Sequence, residues 1–169
     1  NCFKKTFSRT GRHKRLTRPT MMEWGEALAY ELDHSIKCKK CEMEYDSMIN
    51  KFCPWCDEKN KYVSFSCNIN NGACLEQNYI HEVSNGIKVP IRLLKGFSVS
   101  EMNEIVFEIA VVKGEIIIEN FNSRFDFECK QNGTYQKIFG KYVLDEVSQI
   151  RVTDRTTGEK YLVDYALKG

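Results

Sequence analysis

The sequence predicts an α+β fold that is mostly β, and three observations carry that expectation. Met21, Trp24, Leu28 and Leu32 recur at three- and four-residue spacing, with Ala27 beside them, which is one apolar stripe on a helix. Cys38-Lys39-Lys40-Cys41 and Cys53-Pro54-Trp55-Cys56 are two C-x-x-C pairs separated by eleven residues. From residue 87 onward, short alternating apolar runs are punctuated by turn residues, as in consecutive antiparallel strands. The elements in order are a short N-terminal helical segment, a four-cysteine zinc ribbon, and a small antiparallel β-sandwich or barrel.

Residues 1–36 open with a basic stretch and pass into the helix. Lys4, Lys5, Arg9, Arg12, Lys14, Arg15 and Arg18 fall within the first 18 residues, which hold no acid. Thr20-Met21-Met22-Glu23 has the form of a capping box, a hydroxyl followed three residues later by a carboxylate. The helix should run three to four turns and bury its stripe on the rest of the domain. The chain begins at Asn1 and not at Met, which suits a processed product or a piece of something longer.

Residues 37–66 hold the paired cysteines. Two residues between thiols let both sulfurs turn toward one ion from a single tight loop, and two such loops complete a tetrahedral site. Cys38, Cys41, Cys53 and Cys56 are therefore the expected ligands of one structural Zn²⁺. A four-thiolate site has no open position for water, so it should hold the fold and do no chemistry. Two disulfides fit less well, since nothing reads as a secretory leader and the other cysteines are scattered. A redox C-x-x-C would sit in a βαβ context, which this pattern lacks. Tyr45 and Phe52 are expected to cover the metal, Trp55 to pack on a neighbouring element, and Tyr62–Phe65 to leave as a strand.

Residues 67–86 are rich in Asn, Gly and Ser and read as a linker between domains. Cys67 and Cys74 fall here with His81 nearby. A second metal site is conceivable, but no paired spacing supports it, and free thiols in a loop are the plainer reading.

Residues 87–169 read as six or seven short strands. Arg124–Lys130 alternates wet and dry positions, and Lys113-Gly114 and Thr156-Thr157-Gly158 mark turns. Asn132-Gly133 is a hairpin signal, because both central positions of a type I′ turn need positive φ. Arg124 and Lys130 share a wet face that can contact an anion, although charges alternating along a strand usually serve solvation.

The whole chain has 169 residues, 42% hydrophobic and 28% charged, which predicts packed globular structure. Its longest apolar run is strand-sized, so no membrane span is expected. The cysteine pattern and the missing leader predict a cytoplasmic, reducing setting. No glycine-rich phosphate loop, H-E-x-x-H or G-x-S-x-G occurs, and His13, His34 and His81 lack recognisable acid or nucleophile partners. Catalysis by this chain alone is not expected.

Arg18-Pro19-Thr20-Met21-Met22-Glu23-Trp24-Gly25-Glu26-Ala27-Leu28 resembles the end of a bacterial, eukaryotic-type Ser/Thr protein kinase domain, where Arg-Pro-Thr opens the last helix of the large lobe. Asn1-Cys2-Phe3 is similar to the end of the preceding kinase helix. Cys53-Pro54-Trp55-Cys56 stands where some such kinases carry a Cys-rich segment ending in C-P-W-C. The kinase-like part covers residues 1–34, and with the cysteine pairs about a third of the chain. The resemblance implies the C-terminal part of a kinase, with the rest of that polypeptide or another protein as partner. H-R-D, D-F-G and the glycine loop do not occur in this sequence, so it cannot phosphorylate anything. In the family, the arginine matching Arg18 pairs with a glutamate that is missing here, so Arg18 should be exposed or paired elsewhere.

Glu119–Ser123, Asn132–Tyr135 and Ile150–Val152 also fall in an order similar to forkhead-associated (FHA) sandwiches. The Gly-Arg and Ser-x-x-His elements that grip phosphothreonine there do not occur. That resemblance implies architecture and no phosphopeptide site.

The functional expectation is a non-catalytic zinc-binding accessory module of a kinase, its β-sandwich serving protein–protein interaction. The alternative is a free-standing zinc-ribbon protein that binds nucleic acid through the basic stretch and Lys37, Lys39 and Lys40. Residues 19–85 weigh against it, with six bases and eleven acids. The aromatic residues are also not visibly interleaved with the bases.

Overall fold

A computed structural model describes residues 2–69, 77–82, 86–113, 115–145 and 147–168. The chain divides into two compact units, Asn1–Asp33 and His34–Gly169.

The first unit is helical. Helices α1 (Cys2–Phe7) and α2 (Arg9–His13) are joined at Ser8, whose Oγ accepts the Gly11 amide at 3.0 Å. Only glycine fits at Gly11, since a Cβ there would sit 1.9 Å from the Lys5 carbonyl oxygen. A 3-10 turn (Arg15–Thr17) leads to α3 (Met21–His34). The capping box forms as expected, with the Thr20 amide donating to Glu23 Oε2 at 2.7 Å and the Glu23 amide to Thr20 Oγ1 at 3.2 Å. Arg18 is paired elsewhere, donating to the carbonyls of Gly11 (2.8 Å) and Arg12 (3.3 Å).

The apolar stripe of α3 departs from expectation. Phe3 of α1 meets the Trp24 ring edge-on at 4.9 Å, but Met21, Leu28 and Leu32 are 86%, 60% and 69% exposed. No apolar side chain between residues 2 and 33 is buried. Two short helices cannot cover a fourteen-residue helix beyond its first turn.

The second unit starts with a two-stranded ribbon, β1 (Ser35–Lys37) against β2 (Glu44–Asp46). Strand β3 (Tyr62–Ile69) then enters a six-stranded antiparallel sheet. It lies between β12 (Lys160–Lys168) and β4 (Gln77–Glu82). Beyond β12 the sheet continues through β11 (Val147–Asp154), β8 (Phe125–Gln131) and β9 (Thr134–Lys137). The second sheet holds β5 (Ile87–Pro90), β6 (Ile105–Val112), β7 (Glu115–Glu119) and β10 (Tyr142–Leu144), in the order β10-β7-β6-β5. A short helix, α4 (Arg92–Lys95), adds Leu93 and Leu94 to the core.

One core joins both sheets. Phe65, Val163, Tyr165, Ile150, Val152 and Phe127 come from the six-stranded sheet, and Val89, Phe107, Ile109 and Ile118 from the four-stranded one. At about 25 cal/mol per Å², each such side chain contributes roughly 1.5–3 kcal/mol. The structure is thus α+β and mostly β, with two antiparallel sheets as a sandwich.

Two details differ from the sequence reading. Residues 67–86 are not only a linker: Cys67 and Asn68 lie in β3, Cys67 paired with both β12 and β4 and Asn68 with β12, and residues 77–82 form β4. Ser64, Ser66 and Asn68 are half-buried while Val63, Phe65 and Cys67 are in the core, so the polar residues mark the wet face of a strand. The described residues from 87 onward also form eight strands, not six or seven. The Asn132-Gly133 turn has the expected positive φ at both positions, 49° and 82°. Cys74 and Gly114 lie outside the described residues.

A buried ionic cluster closes one end of the sandwich. Asp154, fully buried, accepts from Lys95 Nζ at 2.6 Å and from Arg124 Nη2 at 3.1 Å. Arg124 Nη1 donates to Glu101 (2.8 Å) and Glu104 (3.0 Å). Arg124 is therefore engaged by three carboxylates and offers no anion site.

Candidate metal centre

Each cysteine pair is carried by a loop folded the same way. The Cys38 amide donates to Met43 O and the Glu42 amide to Cys38 O, both at 2.9 Å. The Cys53 amide donates to Glu58 O and the Asp57 amide to Cys53 O, again at 2.9 Å. The fourth residue after each leading cysteine turns the chain through left-handed backbone, Glu42 at φ 61° and Asp57 at φ 57°. The two knuckles are local copies of one turn, so C-x-x-C spacing alone orients both sulfurs of each pair.

The four sulfurs of Cys38, Cys41, Cys53 and Cys56 all lie within 4.8 Å of one another. Cys38 Sγ is 3.6 Å from Cys56 Sγ, and Cys41 Sγ is 3.5 Å from Cys53 Sγ. Sulfurs about 2.3 Å from the centre of a regular tetrahedron stand about 3.8 Å apart, so the cluster fits a four-thiolate zinc site. Among the described residues, no other group of three or more His, Cys, Asp or Glu side chains is arranged to hold a metal.

The surroundings favour ionised sulfur only in part. Burial opposes ionisation of Cys38, but the Cys41 amide, the Asn60 side chain and the Lys40 amide outweigh it and bring the thiol down to about 6. At Cys56 the Glu58 amide favours the thiolate, yet burial and the other three sulfurs push it up to about 12. Four sulfurs this close cannot all carry charge without a cation among them, and a bound cation removes that conflict.

Around the sulfurs the packed shell is small. Ile36, Tyr45, Cys38 and Cys53 are buried together, with Cys41, Cys56 and Tyr62 packed against them. Tyr45 covers the cysteines as expected. Phe52 does not, being 52% exposed, and Trp55, expected against a neighbouring element, is 55% exposed, because both knuckle tips point their second and preceding residues outward.

Asn60 is the residue the sequence reading missed. It is 4% exposed and touches three parts of the ribbon. Its Oδ1 accepts the Lys39 amide at 3.0 Å, and its Nδ2 donates to Tyr45 Oη at 3.2 Å and to Glu58 O at 3.3 Å. One side chain thus ties the first knuckle to the second and to β2. Its only sequence signal is a lone Asn four residues after the last cysteine.

Elsewhere, Lys37 pairs with Glu42 of its own knuckle and Lys39 with Glu58 of the second, so two of the lysines at the first knuckle are engaged by acids of the ribbon. Cys67 packs in the sandwich core, where burial pushes its thiol up to about 12. Of His81 only the backbone pairing with Val63 is described. No helix among the described residues is long and apolar enough to cross a membrane. No protein-family model matches the chain, and neither a curated protein nor a solved structure is significantly similar to it.

Proposed function

We propose that the chain is the non-catalytic, zinc-braced C-terminal module of a Ser/Thr protein kinase, with its sandwich serving as a protein-interaction platform. The observation that carries this reading is the first unit. It opens α3 with the Arg-Pro-Thr and Glu-Trp pattern of a kinase lobe, yet buries no apolar side chain of its own. A helical unit of this size cannot stand without a core, so its exposed Met21, Leu28 and Leu32 call for polypeptide to pack on.

Zinc suits the cluster because soft thiolates in a closed tetrahedral set leave no position for substrate. The ion would replace the core that the ribbon lacks, worth on the order of 10 kcal/mol of folding free energy. None of the cysteines among the described residues is disulfide-bonded, which suits a reducing cytoplasm.

The coding sequence upstream of Asn1 tests the kinase reading. A glycine loop, H-R-D and D-F-G are expected there, and a start codon close to Asn1 would refute it. Metal analysis of the purified chain tests the other half, with one zinc per chain expected.

A further inference from the structure

We propose that the four-cysteine cluster is also a peroxide-reactive modification site, which exchanges its metal for two disulfides that cross between the knuckles. This rests on the metal reading above. The two cysteine residues of each close pair differ in burial. Cys41 and Cys56 are partly exposed, whereas Cys38 and Cys53 are fully buried. The sulfur of each part-exposed residue lies against the sulfur of a buried cysteine of the opposite knuckle, Cys41 against Cys53 at 3.5 Å and Cys56 against Cys38 at 3.6 Å. An oxidant therefore reaches one member of each cross-pair, and its resolving partner is already in contact.

The chemistry balances with hydrogen peroxide as oxidant. The Cys41 sulfur attacks one peroxide oxygen, the O–O bond breaks, and a sulfenic acid and hydroxide result. The Cys53 thiolate then attacks the Cys41 sulfur. The S–S bond forms, the S–O bond breaks, and hydroxide leaves to become water with a solvent proton. Two sulfurs have lost two electrons and one peroxide has become two waters. Cys56 and Cys38 repeat the step with a second peroxide. The metal departs as the divalent ion it was, because its ligands are no longer thiolates.

Crossing matters for what remains. Links between residues 12 and 18 positions apart keep the knuckles joined once the metal has gone. Disulfides within each C-x-x-C would leave the two loops unconnected. The oxidised ribbon should stay compact and recover its metal when a dithiol reduces it.

The full chain, loaded with zinc, is first assayed for metal content, then titrated with hydrogen peroxide. Released zinc is read with a chromogenic chelator, and the disulfides are mapped by non-reducing peptide mass spectrometry. The expected result is loss of zinc at about two peroxides per ion. Peptides linked Cys41–Cys53 and Cys38–Cys56 should predominate, with zinc recovered after dithiol treatment. A Cys2→Ser chain should behave identically. A preparation that binds no zinc overturns the metal reading itself. Zinc that is retained, or released with Cys38–Cys41 and Cys53–Cys56 links instead, overturns this proposal alone.

Discussion

Replacing Asn60 by alanine should loosen the metal centre without touching a ligand. The side chain makes three hydrogen bonds, to the Lys39 amide, Tyr45 Oη and Glu58 O. Each is worth about 1 kcal/mol net, and the Lys39 amide and Tyr45 hydroxyl would lose buried partners. Some of that loss is recovered by water entering the gap, leaving about 2 kcal/mol. Because ribbon folding and metal binding are one equilibrium, this appears as roughly a 30-fold loss of zinc affinity, within the 10–100-fold range for groups that orient ligands. The variant also removes one of the influences holding Cys38 low, so its zinc binding should require higher pH. The assay is competition against a chromogenic chelator between pH 6 and 8. An affinity within twofold of the parent chain at pH 7, with an unchanged pH midpoint, would refute the bracing role.

Other outcomes follow from the same geometry. Strong chelation, or Cys41→Ser, should expose residues 37–61 to protease while the sandwich keeps its β circular-dichroism signal, since the two cores are separate; unchanged digestion and thermal stability would show that no metal braces the ribbon. Asp57→Gly should stabilise the loaded ribbon by about 0.5–1 kcal/mol, because glycine meets no steric penalty at φ 57°, and a loss of zinc affinity would contradict that. Asp154→Asn should cost the sandwich about 3 kcal/mol, or around 10 °C in Tm at pH 7, by leaving Lys95 and Arg124 without their buried carboxylate. Burial alone would raise the Asp154 carboxyl, but Lys95, Thr156 and Arg124 outweigh it and hold it below its ordinary value. A depressed folded-state pKa gives stability that is complete above the unfolded value near 3.9 and is lost as pH falls below it. The gap between parent and variant should therefore narrow below about pH 4, and a gap constant from pH 7 to pH 3 would disprove the assignment.

Features written in adjacent residues were legible in the sequence. The knuckles need only C-x-x-C, the cap of α3 needs only Thr20 and Glu23, and the β8–β9 turn needs only Asn132-Gly133. What was not legible depends on partners distant along the chain. Cys67 and Asn68 look like linker residues until β3 is paired with β12, and Cys67 also with β4. Asn60 looks ordinary until two loops meet around it. Nothing in the sequence singles out Asp154, and only the fold shows Lys95, 59 residues away, reaching it. The stripe on α3 was read correctly as a pattern, but periodicity does not say what, if anything, covers it.

The pairing of β3 with β12 sets where the sandwich can be attached. Tyr62, the first residue of β3, lies opposite Lys168, the last of β12. The outer ends of these two strands thus lie about 5 Å apart at the same end of the sheet. Only Lys61 separates Asn60 from Tyr62, so the zinc ribbon joins β3 with almost no intervening chain. Tension applied across the two ends would peel β3 from β12 one residue pair at a time, beginning at Tyr62 and Lys168, instead of shearing all their bonds at once.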